Sequence, residues 1–253
     1  MRAFFAFGKK EILEYIRTYK LLVVSTVFLL LGLLNPVTAK LMPSILGSVM
    51  PEGLTLSLPE PGAIDSWTQF YKNMTGIQLI LFIILFSGSL PNELSGGTLI
   101  NLLTKGLARP TVLWAKLASI TAVWSLCYLL AFGATYGYTL YLLPGELSNV
   151  GLAAFGMWLF GILLIAVMLL GGVLFANVYG SLLLTGGFVA LMMLANFVPG
   201  LRACNPYRLA SDNVSLLTGA AAASELTVPI MVSCALSGVS MAGALTAFRA
   251  KRL

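Results

Sequence analysis

Histidine is absent from this chain, and only 9% of its 253 residues are charged, against roughly a quarter in soluble domains. Without imidazole, the usual general base, the commonest zinc ligand and the Ser-His and Cys-His nucleophile pairs are missing. Hydrolases of those kinds are excluded. Cysteine is scarce as well: Cys127, Cys204 and Cys234 are odd in number and far apart, which implies neither a disulfide framework nor a metal cluster. Long polar stretches are also lacking. None exceeds about 35 residues, short of the roughly 50 that a small independent domain needs.

What is present is hydrocarbon, with 58% of residues apolar. A helix rising about 1.5 Å per residue needs about 20 apolar residues to cross a membrane core. Six such runs lie near 21–41, 73–90, 117–143, 152–176, 181–198 and 228–248. The sequence therefore predicts an all-α membrane protein, with one six-span domain over 21–253 preceded by a segment 1–20 of different character. In that segment Phe5, Ile12, Ile16 and Tyr19 recur at helical spacing among Lys9, Lys10, Glu14, Arg17 and Lys20, the pattern of an amphipathic helix lying on a membrane face. Glu11 and Glu14 interrupt it, so it is read as an attached segment and not a cleavable signal.

Six spans put both termini on one side. Arg2, Lys9, Lys10, Arg17, Lys20, Lys105, Arg109, Lys116, Arg249, Lys251 and Arg252 share that side, leaving Lys40, Lys72, Arg202 and Arg208 opposite. The positive-inside rule places both ends in the cytoplasm of a plasma-membrane protein. The net charge of +6 then needs no nucleic-acid partner. On the outer side, residues 42–72 carry Pro43, Pro51, Pro59 and Pro61, which argue against a long regular helix over the first two thirds. Trp67, Phe70 and Tyr71 read as an interfacial anchor, with a ligand cap as the other reading. Asn73-Met74-Thr75 and Asn213-Val214-Ser215 match glycosylation acceptors. Asn196, Arg202, Asn205, Arg208, Asp212 and Glu225 read either as a substrate exit or as a solvated loop. Glycine pairs such as Gly171-Gly172 and Gly186-Gly187 suit close helix packing.

The connection between spans two and three is more specific. Gly96 and Gly97 permit a tight turn, Thr98 can cap a short helix, and Leu99, Leu102, Leu103 and Leu107 share one face of it. The helix is predicted over 98–108, ending before Pro110. No phosphate-cradling Gly-x-x-x-x-Gly-Lys-Ser/Thr loop occurs, so the chain is read as no ATPase and no enzyme. All nine carboxylates map to loops or span ends, which disfavours an ion-coupled carrier.

This connection resembles the first cytoplasmic loop of permease subunits of type-2 ABC exporters. Its acidic residue, Gly-Thr, leucine pair, basic residue, arginine and lysine are Glu93, Gly97-Thr98, Leu102-Leu103, Lys105, Arg109 and Lys116. It departs where Glu93 lacks a following basic residue and where Gly106 replaces a frequent proline. The resemblance implies a half-transporter with a second permease copy or paralogue and separate ABC ATP-binding subunits, which would carry the ATP and Mg; no cofactor or metal is implied in this chain. It further implies that the amphipathic start and a coupling helix dock the ATPase, with Glu93, Thr98, Leu102, Leu103, Lys105 and Arg109 forming or supporting the contact. Two other classes remain open: a non-transporting scaffold using the same face, and an ion-coupled carrier.

Overall fold

The computed structural model describes residues 2–49, 60–104 and 106–251. Pro51, Pro59, Lys105 and Arg252 therefore lie outside the described residues, as does the side chain of Leu102. Every regular element among those described is helical. In order they are α1 (Arg2–Arg17), α2 (Lys20–Val49), α3 (Ala63–Asn73), a π-helix (Met74–Gln78), α4 (Leu79–Phe86), α5 (Pro91–Ser95), α6 (Thr98–Thr104), α7 (Arg109–Leu142), α8 (Val150–Phe175), α9 (Val178–Ala195), α10 (Pro199–Arg202), α11 (Arg208–Ser211), α12 (Asn213–Leu217), a 3-10 turn (Ala223–Leu226) and α13 (Thr227–Ala250). Among the described residues, six helical stretches are long and apolar enough to cross a membrane: Lys20–Ile45, Ala63–Ser95, Arg109–Leu142, Val150–Phe175, Val178–Ala195 and Ala223–Ala250. It is a multi-pass membrane protein.

Helix α8 is the hub, packing against α7, α9 and α13 and against the short α11 and α12. Its run from Leu163 to Leu169 is buried throughout, so this helix is apolar all round because it is surrounded by protein. A Cβ on Gly161 would fall 2.3 Å from the Trp124 ring, so the α7–α8 contact is built on the missing side chain.

The long α2 runs through Pro36 and also through Pro43, one of the outer-segment prolines expected to argue against a long helix. A proline cannot donate to the carbonyl four residues back, and for Pro36 that carbonyl belongs to Gly32. The Thr135 hydroxyl of α7 donates to it at 2.8 Å. The neighbouring Asn35 side chain donates to Thr135 at 3.2 Å and accepts from Asn73 at 2.7 Å. In hydrocarbon such exposed polar groups must find partners in the protein, and this set ties α2, α3 and α7 together.

The helices of spans two and three extend beyond their apolar windows. The second begins at Ala63 and the third at Arg109, not near 73 and 117. Trp67, Phe70 and Tyr71 do not anchor at the interface. They are buried against α7, where Trp67 meets Phe132 with ring centroids 5.1 Å apart and Phe70 meets Tyr128 at 6.2 Å. Residues that a hydropathy scale assigns to an interface are here a helix–helix seam. The two glycosylation tripeptides are also corrected: Asn73 is bonded inside the bundle, and Asn213 is 1% exposed with its amide bonded to the Leu209 and Ala210 carbonyls.

Candidate functional site at the α1 end of the bundle

Helix α1 is amphipathic in an unexpected sense. Phe5, Ile16 and Tyr19 face outward, while Phe7, Glu11 and Tyr15, four residues apart and so on one face, are buried against the bundle. Of the apolar stripe read from the sequence, Phe5, Ile16 and Tyr19 are thus left exposed while Ile12 packs partly on the core, and the stripe facing the protein carries a carboxylate. Tyr19, with φ 57°, breaks the helix and turns the chain into α2.

Lys116, two turns into α7 and fully buried, answers that carboxylate. Its ammonium donates to Glu11 Oε2 at 2.8 Å and to the Ser89 carbonyl at 2.9 Å, and forms an ion pair with Glu93 Oε2 at 2.9 Å. Lys10 joins from the solvent side, pairing with Glu93, with Glu11 at 3.0 Å and with Glu14 at 2.9 Å. The Tyr15 hydroxyl donates to Glu11 Oε2 at 3.0 Å and lies 3.0 Å from Ser89 Oγ. Three segments remote in sequence, α1, the connection from Ser89 to α5, and α7, therefore meet on one set of charges. Buried ions need this degree of pairing, because desolvation would otherwise outweigh the attraction.

The electrostatics follow the geometry. Burial alone would raise the Glu11 carboxyl, but Lys116 and then Lys10 beside it hold it below the usual carboxylate range. Burial would likewise lower the Lys10 ammonium, yet its bonds to Glu93 and Glu14 keep it above the ordinary lysine value. Burial, reinforced by the Glu11 charge, pushes the Tyr15 phenol up. Glu11, Glu14 and Glu93 bring carboxylate oxygens within 4.8 Å of one another, a grouping that could hold a cation, but two lysine ammonium groups already supply the charge there.

The connection itself turns at Gly97 (φ 68°) and Gly106 (φ 92°), which glycine adopts without a Cβ clash. Helix α6 spans Thr98–Thr104, shorter than the predicted 98–108. Leu99 is fully buried, and Leu103 and Leu107 are half-buried against the core, so most of the described leucine face packs on this chain. Thr98 is exposed, with its hydroxyl 3.4 Å from the Glu93 carbonyl. The outward surface is made by Asn92, Ser95, Thr98 and Thr104. Arg109, next to a Pro110 that suits the first turn of α7, donates from Nη1 to the carbonyls of Phe248, Arg249 and Lys251 at 2.9, 2.9 and 2.8 Å. Its charge meets the negative end of α13. Lys251 in turn donates to the Val173 carbonyl at 2.6 Å.

Of the residues singled out from sequence, the structure brings Glu93 and Lys116 together and turns Arg109 to the far helix. The sequence gives Lys10 and Glu11 no site role and does not single out Tyr15 or Ser89, although a carboxylate between aromatic residues at i−4 and i+4 is the signal that marks Glu11. At the opposite end most of the polar residues are bonded to one another or to the backbone, with Arg202 and Glu225 still exposed. Arg208 bonds Asp212 at 2.7 Å and Glu225 at 2.8 Å, Arg202 approaches Asp212 at 3.8 Å, and Asn205 donates to the Met192 carbonyl at 2.6 Å. These bonds hold the Arg208 guanidinium charge firmly in spite of partial burial.

No family model matches the chain. Over 147 residues it is 27% identical to the uncharacterized transmembrane protein YxlG of Bacillus subtilis (strain 168), a stretch covering 56% of this chain and 54% of that protein. The chain thus spans about half the length of the curated relative it matches.

Proposed function

We propose that this multi-pass protein is the permease subunit of an ATP-driven exporter of the type-2 ABC kind, with both termini in the cytoplasm. It works as one of two permease copies or paralogues and docks a separate ATP-binding subunit that carries the ATP and Mg. The observation that supports the reading best is the Lys116 network, because it joins the two segments expected to meet an ATPase, α1 and the connection through Glu93, to the start of a membrane span. Force applied to either segment would reach α7 through charge pairs instead of through a flexible loop. Glu93 and Arg109 act as supports behind the surface, Leu103 faces partly inward, and Asn92, Ser95, Thr98 and Thr104 offer the outward contact. Lys105 and Leu102 belong to the same segment. The short outer loops favour a small amphipathic or apolar cargo. An ion-coupled carrier is less well supported, since the charged network sits at one end of the bundle and its members are paired with one another.

The test is co-purification. The tagged chain from its native host is expected to bring down an ATP-binding subunit, and the chain alone to hydrolyse no ATP. Replacing Ser95 and Thr98 together with arginine, both on the exposed surface, should lower recovery of that subunit about tenfold or more while the permease accumulates normally. A double variant that keeps its full complement of ATPase would overturn the docking surface. Recovery only of a protein without nucleotide-binding activity would point to the scaffold instead.

A further inference from the structure

The opposite end of the bundle holds a cleft of about 360 Å³ between α3, the end of α7 and the start of α8. Trp67, Tyr136, Thr139, Leu143, Glu146 and Val150 are among the residues lining it. Its frame is pinned. The Ala63 amide at the start of α3 donates to the Pro144 carbonyl at 3.0 Å, the Ser148 amide to the Leu217 carbonyl at 3.0 Å, and Ser66 and Thr139 share a hydrogen bond at 2.7 Å. A cleft held this way needs little reorganisation on binding.

Two features of the lining point to one ligand chemistry. The first is aromatic. Trp124, Tyr128, Phe132 and Tyr136 recur every fourth residue along α7, with successive ring centroids 5.7, 6.3 and 6.1 Å apart and the last two rings within 9° of parallel. Tyr136 ends this ladder in the cleft, 6.4 Å from Trp67; Trp67 is 1% exposed and forms the floor, while Tyr136 is 45% exposed and forms a wall. The second is charge. Glu146 is exposed at the rim, and its carboxylate has no ion-pair or hydrogen-bond partner among the described residues. The other carboxylates at this end that take part in bonds, Asp65, Asp212 and Glu225, are satisfied by the Gly62 amide or by Arg208.

An aromatic wall and floor beside an uncompensated carboxylate attract a cation with an apolar body: the ring faces carry negative potential, and the carboxylate supplies the countercharge. We infer that the cleft lined by Trp67, Tyr136 and Glu146 is a binding site for a free lipophilic organic cation, of the quaternary or aryl-ammonium class. The site lies away from the Lys116 network, and the inference stands whether or not the chain works with an ATPase.

The experiment uses benzyltrimethylammonium as probe and the full-length chain in an uncharged maltoside detergent. Binding measured by calorimetry should saturate at one probe per chain. Glu146→Gln and Tyr136→Leu should each weaken it about five- to tenfold, and Tyr136→Phe, which keeps the ring face, by no more than about twofold. Both side chains are exposed, and elution profile and melting temperature check that the variants are folded. The neutral isostere neopentylbenzene should fail to displace the probe, and phosphocholine should displace it only weakly. Absence of saturable binding by the folded wild-type chain, or affinity unchanged in both Glu146→Gln and Tyr136→Leu, overturns the site. Equal displacement by the isostere overturns the charge requirement, and stronger displacement by phosphocholine makes it a lipid-headgroup site instead.

Discussion

Lys116 and Glu11 are 105 residues apart in sequence and 2.8 Å apart in space, the lysine fully buried and the glutamate 1% exposed. The pair decides whether α1 is part of the bundle. Substituting Lys116 by methionine strands Glu11 and Glu93 as buried charges without their main partner, which should cost about 3–5 kcal/mol of α1 docking. Combining it with Glu11→Gln removes one stranded charge and should recover a good part of that loss. Hydrogen exchange over α1 in nanodiscs reads both, with fast exchange in the single variant and intermediate exchange in the double.

The same pair sets a pH limit. The Glu11 carboxyl is held below its ordinary value when α1 is docked, so its contribution is complete above that ordinary value, near 4.5, and is lost as pH falls through the docked value. Lys10 is shifted the other way; its contribution is complete below the ordinary value of 10.5 and is lost only in stronger alkali. Docking of α1 should therefore be flat through neutral pH and fail on the acid side. A fluorophore on α1 that reports rotational freedom should show one acid transition below the usual carboxylate range, and Lys116→Met should abolish the plateau.

Glycines divide into those that are contacts and those that are not. A Cβ on Gly32 would lie 2.7 Å from the Ala131 carbonyl, a backbone atom that cannot swing aside, whereas one on Gly186 meets nothing within 4 Å. Gly32→Ala should destabilise the chain by about 1–3 kcal/mol as an overpacked seam, and Gly186→Ala should stay within about 0.5 kcal/mol of the parent. Thermal melting followed by tryptophan fluorescence separates them.

Orientation has a built-in reporter. Cys204 is exposed beyond α10 at the end away from α1, Cys127 is buried, and Cys234, also exposed, lies within α13. With both termini cytoplasmic, an impermeant maleimide should label Cys204 on intact cells. In a background with both Cys204→Ser and Cys234→Ser, Ser95→Cys should react only after permeabilisation. The opposite pattern inverts the topology.

Hydropathy found six spans because each has a continuous apolar window, but two of the helices run past those windows for a shared physical reason. Trp67 and Phe70 look like interfacial rings and Lys116 looks like a loop charge when each is judged alone, yet all three are partnered by other parts of the chain. A one-dimensional scale has no means of seeing a partner. Glu93, Arg109 and Lys116 stood out because they punctuate one short connection. Lys10, Glu11 and Ser89 were hidden because their roles exist only once α1 folds back on α7. Helix α2 passes Pro36 for the same reason: the hydroxyl that satisfies the Gly32 carbonyl sits on Thr135, on another helix.

The π-helical turn Met74–Gln78 carries a consequence for span two. Above it the buried positions Ala63, Trp67, Phe70 and Met74 follow the ordinary 3.6-residue spacing; below it they resume at Gln78, Phe82 and Phe86, one residue later than an unbroken helix would place them. One residue is about 100° of rotation. The widened turn therefore works as a phase shifter that lets both halves present their large side chains to the bundle, with the Thr75 hydroxyl bonding the Tyr71 carbonyl at 2.8 Å to steady it. Were the turn to tighten to regular α-helix, the segment Ala63–Asn73 would swing by about that angle against Leu79–Phe86. The Trp67 floor of the distal cleft would then turn away from α7 while the Glu93 end stayed in place.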